Sequence, residues 1–366
     1  MRVVTVMLVA AWVGGFLLAF YQDYAHAGDN VSVTRQFSPT ADAAVTVDAG
    51  DDNGFETTPD YAYADGGGYA VDTDSGVNEN SVALDPGTDK HNYYTYGLSN
   101  AMPSGSTING ITVRADIAVD SIKDTPFTAI RLSWDGGTSW TAVKQFTLTG
   151  VVETTYTYGG ASDTWGRTWS TSELSDANFR VQVINGDTKS SGSKVDFSLD
   201  WIPVSVTFTA PWESYNDSGH TTVEDNFSGS TDLVYMQGTG FPNGDYDVGY
   251  YDGGDSLVLV ALDENISVTD GTLNSQYLLT TDEDAVGDAY WHALVQPANA
   301  TPFITNYTDV AITNPDTYEL MANDSFFVAQ EAIPEFPTVM AGIMVAGLCF
   351  GIYYWMRKRR LAYVKA

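Results

Sequence analysis

The segment "ITVRADIAVD", Ile111–Asp120, decides the fold. Ile111, Val113, Ala115, Ile117 and Val119 fall on one side of an extended chain, and Thr112, Arg114, Asp116 and Asp120 on the other. A period of two marks a strand with one face buried. The same alternation recurs downstream, in "NFRVQVI" through Phe179, Val181 and Val183, and in "KVDFSLDW" through Val195, Phe197, Leu199 and Trp201. "AIRLSWDGGTSWTAV" reads as two strands about a glycine-rich turn. Apart from the two ends of the chain, no window holds a 3.6-residue period. The expectation is an all-β chain of short strands and polar turns.

A boundary falls at "VTFTAPWESYNDSG": a strand ends near Thr209, and Pro211 interrupts the chain. Residues 28–209 exceed the ~100 residues of a minimal immunoglobulin-like sandwich, and a jelly-roll sandwich suits their length. Their rhythm, "PSGSTINGITVRADI", "LSWDGG", "FRVQV" and a closing strand, is loosely similar to jelly-roll modules of prokaryotic surface and phage-tail proteins. Residues 210–330 match one immunoglobulin-like domain in size. There Leu233–Gln237 reads as a strand, Gly238-Thr239-Gly240-Phe241 as a tight bend with Phe241 plugging the sandwich end, and Tyr246–Tyr251 as the next strand. This resembles the GxGF strand-turn of immunoglobulin-like repeats in surface-layer and adhesin proteins. "AYWHALVQP" and "DSFFVAQ" read as late strands.

Both ends are apolar. Arg2, an uncharged run from Val3 to Phe20, and Ala25-His26-Ala27 make up the three parts of a secretory signal peptide, cleaved between Ala27 and Gly28, with an uncleaved N-terminal anchor as the alternative because the run nearly reaches spanning length. Thr338–Met356 is 19 residues without a charge. As a helix it would be about 28 Å long, close to the hydrocarbon thickness of a bilayer. Arg357, Lys358, Arg359 and Arg360 follow at once, and the positive-inside rule holds them in the cytoplasm. The expected architecture is therefore a signal peptide (1–27), a jelly-roll-like β-sandwich (28–209), an immunoglobulin-like β-sandwich (210–330), a linker (331–337), one transmembrane helix (338–356) and a basic cytoplasmic tail (357–366). The ectodomain would stand outside the cytoplasmic membrane in single-pass type I topology.

Pro334-Glu335-Phe336-Pro337 precedes the apolar run. Motif, span and basic cluster in that order resemble the PEF-CTERM type of sorting signal. The resemblance implies processing near these four residues by an archaeosortase- or exosortase-type membrane protease or transpeptidase. Pro337 also suits the first turn of a helix, so a simply retained anchor stays open.

The net charge is −31. Residues 28–209 carry 24 acids against 10 bases, and residues 210–335 carry 22 acids and no base. Such a surface argues against nucleic acid and anionic lipid surfaces as partners. The single cysteine, Cys349, lies in the apolar tail, so no intrachain disulfide forms. An exported protein without disulfides points to a prokaryotic source.

Asn-x-Ser/Thr acceptors occur at Asn30, Asn216, Asn226, Asn265, Asn299, Asn306 and Asn323. Six of the nine asparagines in residues 210–330 sit in them, against one of nine in 28–209, which suits a glycosylated membrane-proximal domain. Ser133–Trp140 fits the Asp-box pattern of sialidase-like propellers. It occurs once, without a blade-length repeat, and reads as a structural hairpin in which Asp135 bonds turn amides. Acid clusters at Asp48, Asp51 and Asp52, at Asp72 and Asp74, at Asp245 and Asp247, and at Asp282, Glu283 and Asp284 lack EF-hand spacing. They read as solvated loops, with one structural Ca²⁺ left open, the candidates being Asp48, Asp51, Asp52, Asp245 and Asp247. His91, His220 and His292 are far apart, and no nucleophile elbow, zinc motif or phosphate loop appears. No catalytic residue is assigned. The reading is a non-enzymatic surface protein that displays a module for a glycan or envelope partner. A carbohydrate-active enzyme with carboxylates on the jelly roll and a surface-layer subunit are the alternatives.

Overall fold

The computed structural model describes residues 31–46, 54–75, 88–188, 195–224, 226–228, 232–251, 257–279, 289–298, 300, 306–307 and 319–329. The signal peptide, the Pro334–Pro337 motif, the apolar run and the basic cluster lie outside them. Among the described residues no helix is long and apolar enough to cross a membrane, and the helical turns are three short 3₁₀ segments. The described residues are all-β and form four sheets.

The long strand β5 (Thr107–Val119) organises the first two sheets. β10 (Phe197–Trp201) and β11 (Val204–Thr209) run end to end along one of its edges, and β8 (Thr154–Gly159) along the other. β1 (Val33–Phe37) and the three-residue β3 (Ala70–Asp72) complete this sheet beyond β11 and β10. Facing it is a five-stranded sheet in the order β2 (Ala41–Ala44), β4 (Asp89–Tyr94), β9 (Arg180–Gly186), β6 (Phe127–Ser133), β7 (Lys144–Thr147). The apolar faces meet as the alternation requires: Ile111, Val113, Ala115, Ile117 and Val119 are buried, against Ile130, Leu132, Val181 and Val183.

Trp201 and Asp116 are among the residues that depart from the alternation. Trp201 is expected inward with Leu199, but a bulge intervenes. Leu199 opposes Ile117 while Trp201 opposes Asp116, so the side chain turns to the outer face, its ring 4.8 Å from the Arg114 guanidinium. A bulge inserts one residue and reverses everything after it. Asp116, expected in solvent, is buried because Arg114 Nε (2.9 Å) and the Thr155 hydroxyl (2.6 Å) close over it. The hairpin after β6 is also longer than its sequence suggests. Only a Ser133–Trp140 bridge joins its base, and the return strand β7 starts at Lys144.

Residues from 212 onward form two further sheets. One is β12 (Trp212–Tyr215), β14 (Leu233–Thr239), β17 (Thr272–Leu278). The other is β13 (Asn226–Ser228), β20 (Ala322–Ala329), β18 (Ala289–Pro297), β15 (Gly244–Tyr251), β16 (Leu257–Val268), β19 (Asn306–Tyr307), antiparallel except where β13 meets β20. No described strand before Thr209 pairs with one after Trp212. Gly238-Thr239-Gly240-Phe241 carries the chain from β14 in one sheet to β15 in the other. Phe241 is buried edge-on to Trp212 and Tyr246, at 6.0 and 5.5 Å. Position 238 must be glycine, since a Cβ there would meet the Phe241 ring at 2.4 Å and the Trp212 ring at 2.8 Å.

The two halves are joined by polar contacts on a continuous apolar core that runs from Val33 to Val328. Ser104 N donates to Gly240 O at 2.7 Å, Val31 N to Asn323 O at 3.0 Å, and Arg35 Nη1 to Ala101 O at 2.8 Å. Burial draws the Arg35 guanidinium below its usual pKa, and Glu319, 3.8 Å away, opposes the shift.

Candidate functional site

The outer face of the five-stranded sheet carries a cross-strand polar row. Asn92, Gln182 and Arg131 are directly opposed on β4, β9 and β6, and alternation turns them away from Val181, Val183 and Leu132. Gln182 Nε2 donates to Asn92 Oδ1 at 2.9 Å, and Arg131 Nε to Gln182 Oε1 at 2.8 Å. The Arg131 guanidinium then lies 4.6 Å from the centroid of the Trp140 ring. Burial lowers its pKa, yet it keeps its proton at any physiological pH. Its two Nη groups have no hydrogen-bond partner among the described residues. In the next row Arg180 stacks at 4.3 Å on Tyr94, held by the carbonyls of Asp176, Ala177 and Phe179.

The Asp-box hairpin borders this face. Asp135 Oδ1 accepts from the Thr138 and Ser139 amides at 3.1 and 2.7 Å, and these bonds hold its carboxyl below the usual range. Gly136 and Gly137 take positive φ. Trp134 and Trp169 hold Arg167 at 4.1 and 4.4 Å, and Glu173 pairs with that arginine at 2.7 Å. Gln182 is 2% exposed and spends its amide on Asn92 and Arg131, so it fixes these two, and Asn92, Arg131 and Trp140 are left as an amide, a guanidinium and an aromatic ring without a carboxylate. Groups of this kind can bond hydroxyls or anions.

Carboxylates gather instead outside the six-stranded sheet. Asp200 accepts from Gly66 N through both oxygens, at 3.2 and 3.0 Å. Tyr69 Oη donates to Glu153 at 2.6 Å. Burial pushes the Asp200 pKa up, the charges of Glu153 and Asp65 add to the shift, and the Gly66 amide opposes it. A raised folded pKa means that ionised Asp200 weakens the fold at neutral pH, and that the penalty fades as pH falls through the unfolded value near 4. Asp200→Asn is therefore expected to melt above wild type at pH 7, with the gap closing below about pH 4. Equal or lower melting at pH 7, followed by differential scanning calorimetry, would contradict this account.

The remaining sequence candidates are scattered. Asp245 and Asn265 line a groove of about 620 Å³ at the junction, together with Arg35, Asn100, Tyr246 and Glu319. Asp245 and Asp247 are taken up locally by the Ser267 hydroxyl and the Asn265 amide. Among the described residues no three His, Cys, Asp or Glu side chains gather as metal ligands. Asp48, Asp51, Asp52, Asp282, Glu283 and Asp284 lie outside the described residues, as do Asn30 and Asn299. Asn216, Asn226 and Asn265 are exposed, the first two on one open groove of about 550 Å³. Asn306 falls in β19. Asn323 is a correction to the acceptor set: its side chain is 2% exposed within β20 and meets His292 Nδ1 at 3.1 Å, leaving no room for a glycan. His91 is buried on Asp42 at 2.9 Å, and this bond holds the carboxyl below its usual range. Sequence reading missed the Asn92–Gln182–Arg131 row, although Arg180, Gln182 and Arg131 occupy the polar positions of two recognised strands.

No protein-family model matches the chain, and no curated protein matches it. Among solved structures the chain is similar to the Endo-D glycoside hydrolase domain from Streptococcus pneumoniae R6, at 11% identity and TM-score 0.20, over 82% of this chain and 37% of that one. It is also similar to the adhesin domain of Epf from Streptococcus pyogenes, at 8% identity and TM-score 0.25, over 85% and 100%. A truncated AlyQ with CBM32 and alginate lyase domains aligns at 11% identity and TM-score 0.24, over 84% and 96%. The chain spans about a third of the length of the first of these. At such scores the likenesses carry no argument about what the chain binds.

Proposed function

We propose that the chain is an exported cell-envelope protein that displays a sugar-binding β-sandwich on an acidic stalk. In this reading residues 28–209 form a jelly-roll-like module and residues 210–330 an immunoglobulin-like one. Thr338–Met356 anchors the chain in the membrane, with Arg357–Arg360 inside and processing at Pro334–Pro337. Exposed Asn216, Asn226 and Asn265 are glycan acceptors on the stalk. One observation carries the binding role: buried Gln182 fixes the planar groups of Asn92 and Arg131 beside the Trp140 ring, and the row holds no carboxylate. Amides and guanidinium recognise sugar hydroxyls and carboxylates, and an indole face covers the apolar side of a pyranose.

The test is glycan-array binding by the full-length protein in detergent. Arg131→Ala and Trp140→Ala are each expected to weaken binding by about tenfold or more, as a charged hydrogen bond and a stacking ring are lost. Asp200→Asn is expected to bind as wild type does. Absence of binding to any glycan, or binding indifferent to both substitutions, would remove the proposal. The enzyme alternative draws on the raised Asp200 pKa beside Asp65 and Glu153. It requires release of reducing ends and loss of that activity in Asp200→Asn.

A further inference from the structure

One end of the space between the first two sheets is polar where the rest is hydrocarbon. Asp89 on β4 lies directly opposite Asn185 on β9, and Asn185 directly opposite Thr128 on β6. From the facing sheet Asp72 on β3 reaches across, its Oδ2 accepting from Asn185 Nδ2 at 2.8 Å. None of the four is more than 1% exposed. Their neighbours along the strands are Val183, Ile130 and Ala70, all buried in the core. Two carboxylates, an amide and a hydroxyl thus share one end of the interior, with Asp89 and Thr128 on either side of Asn185 and Asp72 facing it.

An ionised carboxylate is expensive in such a place unless paired, hydrogen-bonded or bound to a metal. The neutral oxygens sharpen the point. Thr128 Oγ1 and Asn185 Oδ1 are both buried and have no hydrogen-bond partner among the described residues. Native interiors rarely leave such atoms unused, and each one calls for an explanation. Oxygen ligands of mixed charge, carboxylate with amide and hydroxyl, are what a hard divalent cation takes.

We infer that Asp72, Asp89, Asn185 and Thr128 hold a divalent cation of the Ca²⁺ class between the two sheets. Two carboxylates match its charge, and the amide and hydroxyl oxygens supply neutral ligands. The cation ties β3, a three-residue strand paired with β10 and bridged to Thr57, to the centre of the opposite sheet. Its role is structural, and it is independent of the sugar-binding proposal, because these residues lie inside the sandwich and the Asn92–Gln182–Arg131 row lies outside it.

The test uses full-length protein purified without chelator. Metal analysis is expected to find one Ca²⁺ per chain that resists dilution. EDTA is expected to lower the melting temperature by several degrees, and Ca²⁺ to restore it. Tb³⁺ in place of Ca²⁺ is expected to give tyrosine-sensitised emission from Tyr158, whose hydroxyl donates to Thr128 O at 3.2 Å, and Ca²⁺ to displace it. Thr128→Val keeps the shape and removes one ligand oxygen; its Ca²⁺ affinity is expected to fall at least tenfold. Asp72→Asn is expected to lose the Ca²⁺-dependent gain in melting temperature. Asp245→Asn, in the junction groove, is expected to keep it, which separates the site from diffuse binding by an acidic surface. Three results would overturn the inference: substoichiometric metal with melting indifferent to EDTA, equal Ca²⁺ stabilisation of wild type and Thr128→Val, or no displaceable Tb³⁺ emission. Stabilisation by acid that is insensitive to chelator would point to a proton shared between the carboxyls, and would also overturn it.

Discussion

Gly240→Ala is expected to destabilise the protein by about 2–5 kcal/mol, the sum of a left-handed backbone forced on a residue with a Cβ and an overpacked contact. Gly240 has φ +76°, and a Cβ there would meet Ser104 O at 2.1 Å and Ser104 C at 2.9 Å. Those atoms are backbone, and Ser104 N is itself bonded to Gly240 O at 2.7 Å, so neither side can turn away while the bond survives. The substitution must open the seam between the loop after Ala101 and the β14–β15 bend. A urea titration monitored by tryptophan fluorescence reads the effect as a fall in midpoint. A midpoint within error of wild type would show that the two halves do not touch there.

Trp212→Ala is expected to cost about 3–5 kcal/mol, the usual toll of removing a fully buried tryptophan. Trp212 has no exposed surface, packs edge-on to Phe241, and donates its indole N–H to Ala293 O at 3.2 Å. It stands three residues beyond the last strand of the first two sheets and holds β12 against β18. Trp212→Phe keeps most of the ring and is expected to cost less than half as much. Equal losses for the two variants would assign the effect to the hydrogen bond rather than to packing.

These two positions also show how much of the molecule could be read in advance. "GTGF" announces a bend and a buried Phe241, because two glycines beside an aromatic are a local signal. That Gly240 abuts Ser104, 136 positions earlier in the chain, is a fact of docking. Trp201 shows the converse: its place in the alternation is plain, but one bulge against β5 turns it outward. The sequon at Asn323 is as good a local motif as that at Asn216, yet only the second is exposed, because β20 runs between β13 and β18.

The sequence alone determined the all-β character, the inward residues of most strands, the turn at Asp135 and the charge of the two halves. Each depends on a period, a turn preference or a count carried by neighbouring residues. Only the tertiary structure decided which strands became neighbours. It brought Asn92 to Gln182 and Arg131 on one face, and Asp72 to Asn185 in the interior. Strand register is set by burying two apolar faces at once, across gaps of 51 to 113 residues, and no stretch of chain short enough to show a period carries that information.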